Sequence, residues 1–197
     1  MENPKLLVPS WKESVTLLDN IVSTIRAEYR PEVIIGVSRG GLIPALLISD
    51  LLDIPNLGST GVTFYKDIDE KSMNPTVVQP LNIDVEGKHI LVVDDISDSG
   101  KSLTMIAEEL KMKALEIRTA TIYRKPATLF IPDYCASITD TGVVFPWEHI
   151  ETAVKMGKRL LDSGMSLHTA IAYLESIGVR AELAKSCLST IGGENNY

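Results

Sequence analysis

The sequence has few of the residues that build a disulfide framework, a metal cage or a nucleic-acid surface. Its two cysteines, Cys135 and Cys187, lack metal-type spacing, and two thiols in a chain of 197 residues indicate a reducing compartment. Acidic residues outnumber basic ones by 26 to 19, for a net charge of −7. DNA, RNA or an anionic membrane surface would select the opposite bias. We therefore expect no nucleic-acid partner.

Long apolar runs are also missing. No stretch approaches the roughly 20 apolar residues that cross a bilayer. The first residues, MENPKLLVPSW, lack the apolar centre of a signal peptide. Internal repeats and low-complexity tracts are absent from the sequence. With 45% apolar residues, the chain can bury one sizeable core. These features predict a cytoplasmic protein without a membrane partner.

Short apolar strands and amphipathic helices alternate along the first two thirds of the chain. Segments of helical spacing at 15–25, 42–52 and 103–113 alternate with apolar, β-branched runs at 33–37, 89–93 and 117–123. Such runs are typical of parallel strands that are buried on both faces. The pattern predicts an α/β fold with a mostly parallel sheet flanked by helices. Ligands bind at the carboxyl ends of such strands, so the polar segments after Val37 and Val93 form the candidate site.

Two segments depart from this alternation. Residues 61–75 are polar and weakly periodic, and a loop of this length inside a compact domain is usually a functional lid or disordered. Near the C-terminus, three stretches of helical spacing follow one another without an intervening strand. We predict a core of residues 1–147 and a small C-terminal unit of three helices at residues 148–197.

The most specific stretch is Val92-Val93-Asp94-Asp95-Ile96-Ser97-Asp98-Ser99-Gly100-Lys101-Ser102. Here a buried strand is followed by two adjacent acids, and a serine- and glycine-containing turn then opens a helix. The backbone N–H groups of residues 98–102, aimed by the helix N-terminus, would form a phosphate cradle, to which Ser99 and Ser102 add hydroxyl donors. The two acids can bind ribose hydroxyls or, through water, a hard cation such as Mg²⁺.

Two other interpretations of this stretch are weaker. The segment Ser99-Gly100-Lys101-Ser102 resembles the end of a nucleoside-triphosphate P-loop, but that motif requires glycine where Asp95 stands. An acid there would repel a polyphosphate. The paired acids could also simply end a strand, as single acids often do. A third acid, Asp98, and a phosphate-type turn on the same loop favour a functional site instead.

These residues resemble the signature with which type I phosphoribosyltransferases bind phosphoribosyl pyrophosphate (PRPP), two acids followed by an Asp-Thr/Ser-Gly-Lys-Thr/Ser turn. The resemblance covers residues 8–148 and is closest to archaeal purine enzymes of the 6-oxopurine branch. Segments similar to that branch's pyrophosphate loop, mobile catalytic loop, base-binding segment and hood lie at 36–42, 64–70, 123–126 and 145–148. The resemblance implies the type I phosphoribosyltransferase fold, PRPP and a purine base as substrates, Mg²⁺ as cofactor, and a homodimer.

The same resemblance implies a role for each matching residue. The implied groups are Asp94, Asp95, Asp98, Ser99, Gly100, Lys101 and Ser102 for the ribose and 5-phosphate; Ser38, Arg39 and Gly40 for pyrophosphate; Lys125, Gly142 and Val143 for the base; and Asp94, Asp95 and Glu148 for Mg²⁺, partly through water. Asp98 would be the general acid/base at N7 of the purine. Arg39 would stabilise the departing pyrophosphate, and Tyr65 would close over the reacting centre.

The identity of the base stays open at this point. Lys125 can only donate hydrogen bonds, so it suits O6 of guanine, xanthine or hypoxanthine and not the N6 amino group of adenine. Where the 6-oxopurine branch carries an aromatic residue that stacks on the base, this chain has Gly142. The C-terminal helices also resemble those of crenarchaeal adenine phosphoribosyltransferases. On these grounds we expect adenine by a narrow margin, with hypoxanthine, guanine or xanthine as the alternative.

A PRPP-sensing transcription regulator is the alternative from another functional class. Residues 166–188 loosely resemble a helix-turn-helix. However, residues 148–197 contain six acids and five bases, so they lack the basic surface that DNA binding requires. We therefore expect an enzyme.

Overall fold

The computed structural model describes residues 6–66 and 73–193. Its elements in chain order are β1 (Leu6–Leu7), α1 (Trp11–Glu28), β2 (Val33–Ser38), α2 (Leu42–Leu52), β3 (Leu57–Lys66), β4 (Met73–Gln79), β5 (His89–Ser97), α3 (Lys101–Leu110), β6 (Glu116–Arg124), β7 (Tyr134–Ile138), β8 (Gly142–Val143), a 3₁₀ turn (Pro146–Glu148), α4 (His149–Asp162), α5 (Leu167–Ser176) and α6 (Ala181–Gly193). No helix among these residues has both the length and the apolar character needed to span a bilayer.

Two compact units divide the chain. We call residues 13–140 the sheet unit, and residues 1–12 together with 141–197 the helical unit. Residues 1–12 and 141–147 are predicted from the sequence to be part of the core, whereas their contacts group them with the C-terminal helices. A domain boundary between residues 147 and 148 therefore stays a prediction.

The sheet unit contains six strands in the order β4-β3-β2-β5-β6-β7. Strands β2, β3, β5, β6 and β7 pair in parallel, and β4 pairs antiparallel with β3 at one edge. The central strands β2 and β5 carry Ile34, Ile35, Leu91 and Val92, each 0% exposed. Consecutive buried residues of this kind require cover on both faces of the sheet, which is why these strands appear in the sequence as unbroken apolar runs.

Helix α3 covers part of one face of the sheet. Its buried residues Leu103, Ile106 and Leu110 recur at helical spacing and belong to one hydrophobic cluster with Val92 of β5 and Val37 of β2. One apolar stripe on the helix thus packs against the two central strands. This packing sets the position of the helix N-terminus, which follows the carboxyl end of β5.

The three predicted strands at 33–37, 89–93 and 117–123 are confirmed, but β5 is longer than predicted. It continues to Ser97 because Ile96 and Ser97 pair with Tyr123 and Arg124 of β6. Asp94 and Asp95, which were expected to follow the strand, therefore lie within it, near its carboxyl end. Strand β7, which completes the other edge of the sheet, was not predicted.

The prediction of a loop at residues 61–75 is wrong at both of its ends. Residues 61–66 belong to β3 and residues 73–75 to β4. The two strands pair antiparallel from Gly61 opposite Gln79 to Lys66 opposite Met73, with a shift of register between Gly61 and Val62. An edge hairpin is held by cross-strand backbone hydrogen bonds, so it tolerates polar side chains and even Pro75. Residues 67–72, which include 67–70 of the predicted mobile catalytic loop at 64–70, lie outside the described residues.

In the helical unit, the three predicted C-terminal helices are confirmed as α4, α5 and α6. They share a core of Ala153, Ala170, Leu174, Ala184 and Leu188, all 0% exposed. The side chain of Ser166 accepts a hydrogen bond of 3.2 Å from the Thr169 N–H group and so caps α5. Strand β1 pairs in parallel with β8, so the first residues of the chain belong to this unit.

Candidate active site

The loop after β2 meets the last residues of β5 at the carboxyl edge of the sheet. The strands are neighbours, with Gly36 opposite Val93. At this contact, a Cβ atom added to Gly40 would lie 2.0 Å from Oδ2 of Asp95 on β5, so a larger residue would displace either this carboxylate or the loop. Asp95 is 6% exposed. The structure therefore brings the predicted pyrophosphate loop into direct contact with one of the two predicted ribose-binding acids.

Around the turn that leads into α3 lies a cavity of about 360 Å³, lined by Asp94 and residues 96–103. Gly100 has a φ of +82°, and a Cβ atom there would lie 2.5 Å from the backbone nitrogen of Phe130. Both the left-handed backbone and the close contact require glycine at this position. The cavity thus coincides with the stretch predicted to bind ribose and 5-phosphate.

The N-terminus of α3 opens into this cavity. Backbone N–H groups at the start of a helix point outward and carry partial positive charge, which suits a phosphate group. Ser99 is exposed and Lys101 and Ser102 are half-buried, so their side chains lie within reach of solvent. Asp98 is also exposed. The predicted donors are therefore accessible to a ligand.

A segment that sequence reasoning missed braces this turn from the side. The Ser97 hydroxyl donates to the Phe130 carbonyl at 2.9 Å and lies 2.9 Å from the Thr128 hydroxyl. The N–H group of Leu129 donates to the Ser99 carbonyl at 3.1 Å. Residues 128–130 carry no motif that would reveal this role, because it depends on the loop after β6 folding back onto the end of β5.

Of the predicted pyrophosphate residues, Ser38 ends β2, and Arg39 and Gly40 follow it directly. The peptide bond between Ser38 and Arg39 is cis, and the Arg39 side chain is exposed. The Ser38 hydroxyl donates a hydrogen bond of 2.8 Å to Oε1 of Gln79 on β4. This contact with Gln79 was not foreseen from the sequence, which placed residue 79 in no motif.

Of the predicted base-binding residues, Lys125 lies in the sheet unit. Its backbone N–H group donates to the Ser97 carbonyl at 2.9 Å, which fixes Lys125 beside the end of β5. Gly142 and Val143 form β8 in the helical unit, opposite Leu6 and Leu7. Tyr65 lies on β3 opposite Asn74, and its side chain is outside the described residues.

Glu148, predicted as a metal ligand, also belongs to the helical unit. Its carboxylate accepts a hydrogen bond of 3.1 Å from the Phe145 N–H group, and burial raises its pKa above the ordinary value. Lys155 and Arg159 line the same cavity of about 240 Å³. Glu151 lines this cavity as well and pairs with Lys155, so the role of Glu148 in holding Mg²⁺ stays a prediction.

Within residues 6–66 and 73–193, no three histidine, cysteine, aspartate or glutamate side chains are grouped as a protein-built metal site. Asp94 accepts a hydrogen bond of 3.0 Å from the Asp95 N–H group, which orients its carboxylate. Mg²⁺ commonly uses one or two carboxylates and completes its shell with water and substrate phosphates. The donor set of Asp94 and Asp95 fits a cation that is bound in this way.

Comparison with known proteins places the chain in a family. A family model described as "Phosphoribosyl transferase domain" matches residues 10–156. A xanthine-guanine phosphoribosyltransferase of Cereibacter sphaeroides is 34% identical over 119 residues, which are 58% of this chain and 68% of the relative. A solved structure of a purine phosphoribosyltransferase from Pyrococcus horikoshii is 40% identical, with a TM-score of 0.66 over 72% of this chain and 93% of that one.

A more distant solved structure has the same fold. The xanthine-guanine-hypoxanthine phosphoribosyltransferase of Helicobacter pylori is 18% identical, with a TM-score of 0.62 over 80% of this chain and 99% of that one. The mostly parallel sheet flanked by helices, predicted from the sequence, is thus confirmed as the type I phosphoribosyltransferase fold. The chain belongs to the phosphoribosyltransferase family and is a pentosyltransferase.

Proposed function

We propose that this protein is a purine phosphoribosyltransferase that joins a 6-oxopurine (hypoxanthine, guanine or xanthine) to PRPP, giving the nucleoside 5′-monophosphate and pyrophosphate. The observation that carries the proposal is the position of Lys125, a side chain that only donates hydrogen bonds, beside the end of β5. The relatives named for xanthine, guanine and hypoxanthine support the same choice. The narrow expectation of adenine finds no support in these comparisons and is replaced by its alternative.

The chemistry of the base explains why this position matters. A 6-oxopurine presents an acceptor at O6, whereas adenine presents an amino donor at the same place. An ammonium group facing that edge donates a hydrogen bond to O6 of a 6-oxopurine, whereas it meets the amino group of adenine donor to donor. Lys125 is half-buried and follows the last residue of β6, and the hydrogen bond of its backbone N–H group to Ser97 holds it at the carboxyl edge of the sheet. Such a donor would select 6-oxopurines.

Transfer breaks the bond between the anomeric carbon and pyrophosphate and leaves positive charge on the ribose. In the proposed reaction the N-terminus of α3 holds the 5-phosphate, and the backbone and side chains of residues 38–40 stabilise the charge on the departing pyrophosphate. Asp98 would take the proton from N7 as the base bonds to the anomeric carbon. Tyr65 would help to exclude water from the reacting centre.

Mg²⁺, when bound, would neutralise part of the charge on the pyrophosphate group. Asp94 and Asp95 would hold it together with substrate oxygens and water, and they would also bind the ribose hydroxyls. A homodimer, a placement among archaeal enzymes and a kinship of the C-terminal helices to crenarchaeal adenine phosphoribosyltransferases remain predictions of the sequence resemblance.

The proposal is tested by initial rates with PRPP and each of adenine, hypoxanthine, guanine, xanthine, orotate and uracil. We expect at least one 6-oxopurine to be used and adenine to have a kcat/KM lower by about 10⁴, the discrimination of sites built to pair one edge of a substrate. Efficient use of adenine with none of the 6-oxopurines would overturn the choice of base. Orotate or uracil as the preferred base would overturn the purine assignment.

A variant of Lys125 identifies the residue responsible. Lys125→Gln offers both a donor and an acceptor, so it should lower kcat/KM for the 6-oxopurine by roughly 10- to 100-fold and narrow the gap to adenine. Lys113→Gln is the matched control, since Lys113 is an exposed lysine after the end of α3. Equal base preference in the wild type and Lys125→Gln would assign the selectivity to other residues.

A further inference from the structure

Gln79 lies next to the predicted pyrophosphate loop although it is distant from it in sequence. Across three neighbouring strands, Ser38 of β2 is opposite Gly61 of β3, and Gly61 is opposite Gln79 of β4. A Cβ atom added to Gly61 would lie 2.9 Å from Cβ of Gln79 and 3.3 Å from Cβ of Ser38. Because Gly61 has no side chain, Ser38 and Gln79 meet directly above the middle strand.

The carboxamide of Gln79 is held between two hydroxyl groups. Ser38 Oγ donates to Oε1 of Gln79 at 2.8 Å, and Nε2 of Gln79 donates to Ser59 Oγ at 2.8 Å. The carbonyl of Gln79 accepts a separate hydrogen bond of 3.0 Å from Oγ1 of Thr60, which holds the hairpin and does not involve the carboxamide. Asn82 accepts from the Ser59 N–H group at 2.8 Å and so holds the far end of this chain of contacts.

A hydroxyl can donate and accept, so this arrangement has a second form of equal hydrogen bonding. If the carboxamide turns by about 180°, Nε2 donates to Ser38 Oγ and Oε1 accepts from the Ser59 hydroxyl. The number of hydrogen bonds among Ser38, Gln79 and Ser59 is unchanged. In one form the Ser38 hydroxyl donates its proton to the carboxamide, and in the other the Ser59 hydroxyl does so, which leaves the single hydroxyl proton of Ser38 to point elsewhere. In the observed form the proton is committed to Gln79. In the turned form it is available to an anion on the loop.

We propose that Gln79 is a positioning residue that acts through Ser38, and that turning of its carboxamide presents the Ser38 proton to pyrophosphate when the loop is occupied. The inference rests on the proposed pyrophosphate role of residues 38–40. In the empty loop the same amide satisfies Ser38, so the hydroxyl does not need a ligand to be hydrogen-bonded. With pyrophosphate bound, Nε2 supports Ser38 from behind while the hydroxyl donates to a charged oxygen, the stronger type of hydrogen bond.

The test is Gln79→Glu, assayed in the reverse reaction of nucleotide with pyrophosphate and by calorimetric titration with pyrophosphate alone. A carboxylate has nearly the same shape but only accepts, so it holds the Ser38 proton permanently. We expect the dissociation constant and the KM for pyrophosphate to rise by roughly 10- to 100-fold, the usual effect of losing a hydrogen bond to a charged group. The value of kcat should change much less.

The added negative charge could weaken pyrophosphate binding without any part for Ser38, and a double-mutant cycle separates the two effects. In a Ser38→Ala background there is no hydroxyl proton to withhold, so Gln79→Glu should have little further effect. If the loss is as large there as in the wild-type background, charge repulsion alone explains it and the inference is wrong.

Thr60→Val is the control for a purely structural effect. It removes the hydrogen bond to the Gln79 carbonyl from the same hairpin while keeping the shape of the side chain, so it should lower the unfolding temperature without changing the KM for pyrophosphate. An equal rise in this KM for Thr60→Val would overturn the inference.

The titration also distinguishes this inference from the proposed function. Wild-type protein that binds pyrophosphate but uses no purine would refute the proposed function and leave the Gln79 test intact. Purine turnover combined with unchanged pyrophosphate binding in Gln79→Glu would refute only the role of Gln79. Wild-type protein that does not bind pyrophosphate would refute the role of residues 38–40 and this inference with it.

Discussion

At the scale of single residues, the candidate site depends on backbone positions that cannot carry a side chain. Gly40 leaves room for the carboxylate of Asp95, and Gly100 lets the chain turn beside Phe130 before α3 begins. These contacts bring two loops together closely enough to face one ligand. A phosphate-containing substrate is held largely by backbone N–H groups, so the path of the main chain determines much of the binding.

Gly40→Ala tests this dependence. Its Cβ atom would lie 2.0 Å from Oδ2 and 2.5 Å from Cγ of Asp95, so either the carboxylate or the loop must move. We expect PRPP affinity to fall about tenfold or more and the free energy of unfolding to fall by about 1–3 kcal/mol, the usual cost of overpacking. Calorimetric titration with PRPP and Mg²⁺ and urea denaturation measure the two effects.

Gly87→Ala is the control for Gly40→Ala. Gly87 has a φ of +65° and nothing within 4 Å of an added Cβ atom. Alanine there should cost about 1 kcal/mol of stability through backbone strain alone and leave PRPP affinity unchanged. If Gly40→Ala binds PRPP as tightly as Gly87→Ala, the contact between Gly40 and Asp95 has no part in substrate binding.

At the scale of elements, the end of α1 is tied to the amino ends of β5 and β6. The hydroxyl of Tyr29 lies 3.0 Å from the Ile90 carbonyl oxygen and 3.2 Å from that of Glu116. The guanidinium of Arg118 lies 5.9 Å from the centre of the Tyr29 ring. Burial, followed by the nearby charge of Glu116, raises the pKa of Tyr29 above its ordinary value. The candidate site lies at the carboxyl ends of the strands, so this contact serves stability.

Tyr29→Phe should therefore lower stability and leave catalysis unchanged. The carbonyl groups of Ile90 and Glu116 lose the single hydroxyl proton that they share, for an expected loss of about 1–2 kcal/mol in the free energy of unfolding. Because the folded protein holds the Tyr29 proton more tightly than the unfolded chain, wild-type stability declines as the pH rises above about 10. The phenylalanine variant lacks this contribution, so the difference between the two proteins should shrink at high pH.

Urea denaturation of both proteins from pH 7 to 11, together with turnover at pH 7, checks the Tyr29 prediction. A difference in stability that is constant over this range would mean that the hydroxyl does not titrate with folding. A large loss of turnover at pH 7 would connect this end of the sheet to the site.

At the scale of the whole molecule, each of the two units has fully buried apolar side chains of its own. Leu91 lies in the sheet unit and Leu174 in the helical unit, and each side chain is 0% exposed. Truncating a buried leucine to alanine costs about 2–5 kcal/mol, depending on how far the cavity collapses. The two substitutions are chemically identical, so differences in their effects report on the units that contain them.

We expect Leu174→Ala to increase backbone hydrogen exchange mainly in residues 141–193, and Leu91→Ala mainly in residues 13–140. Regions that open together exchange together, so peptide-level hydrogen exchange followed by mass spectrometry measures how far each perturbation spreads. If either substitution raised exchange equally over the whole chain, the two units would unfold as one cooperative body. The division into units would then describe the pattern of contacts and not the unfolding behaviour.

The amino-acid sequence by itself determined the central strands, the helices that follow them and the turn that is predicted to bind phosphate. Strands buried on both faces need unbroken apolar runs, amphipathic helices need spaced ones, and a phosphate turn needs glycine and hydroxyl residues in a fixed order. These requirements are local, so the corresponding patterns can be recognised at 33–37, 89–93 and 98–102 without knowledge of the fold. The three C-terminal helices were predictable for the same reason.

Only the tertiary structure decided which distant segments meet at the site. The β3–β4 hairpin is held by cross-strand backbone bonds that leave little trace in side-chain pattern, and strand pairing depends on context more than on propensity. Ser38 and Gln79 meet over Gly61 because three strands pair in this register. Gly40 contacts Asp95 because the loop after β2 reaches the end of β5. These arrangements arise from pairing between residues far apart in the chain, which no local pattern records.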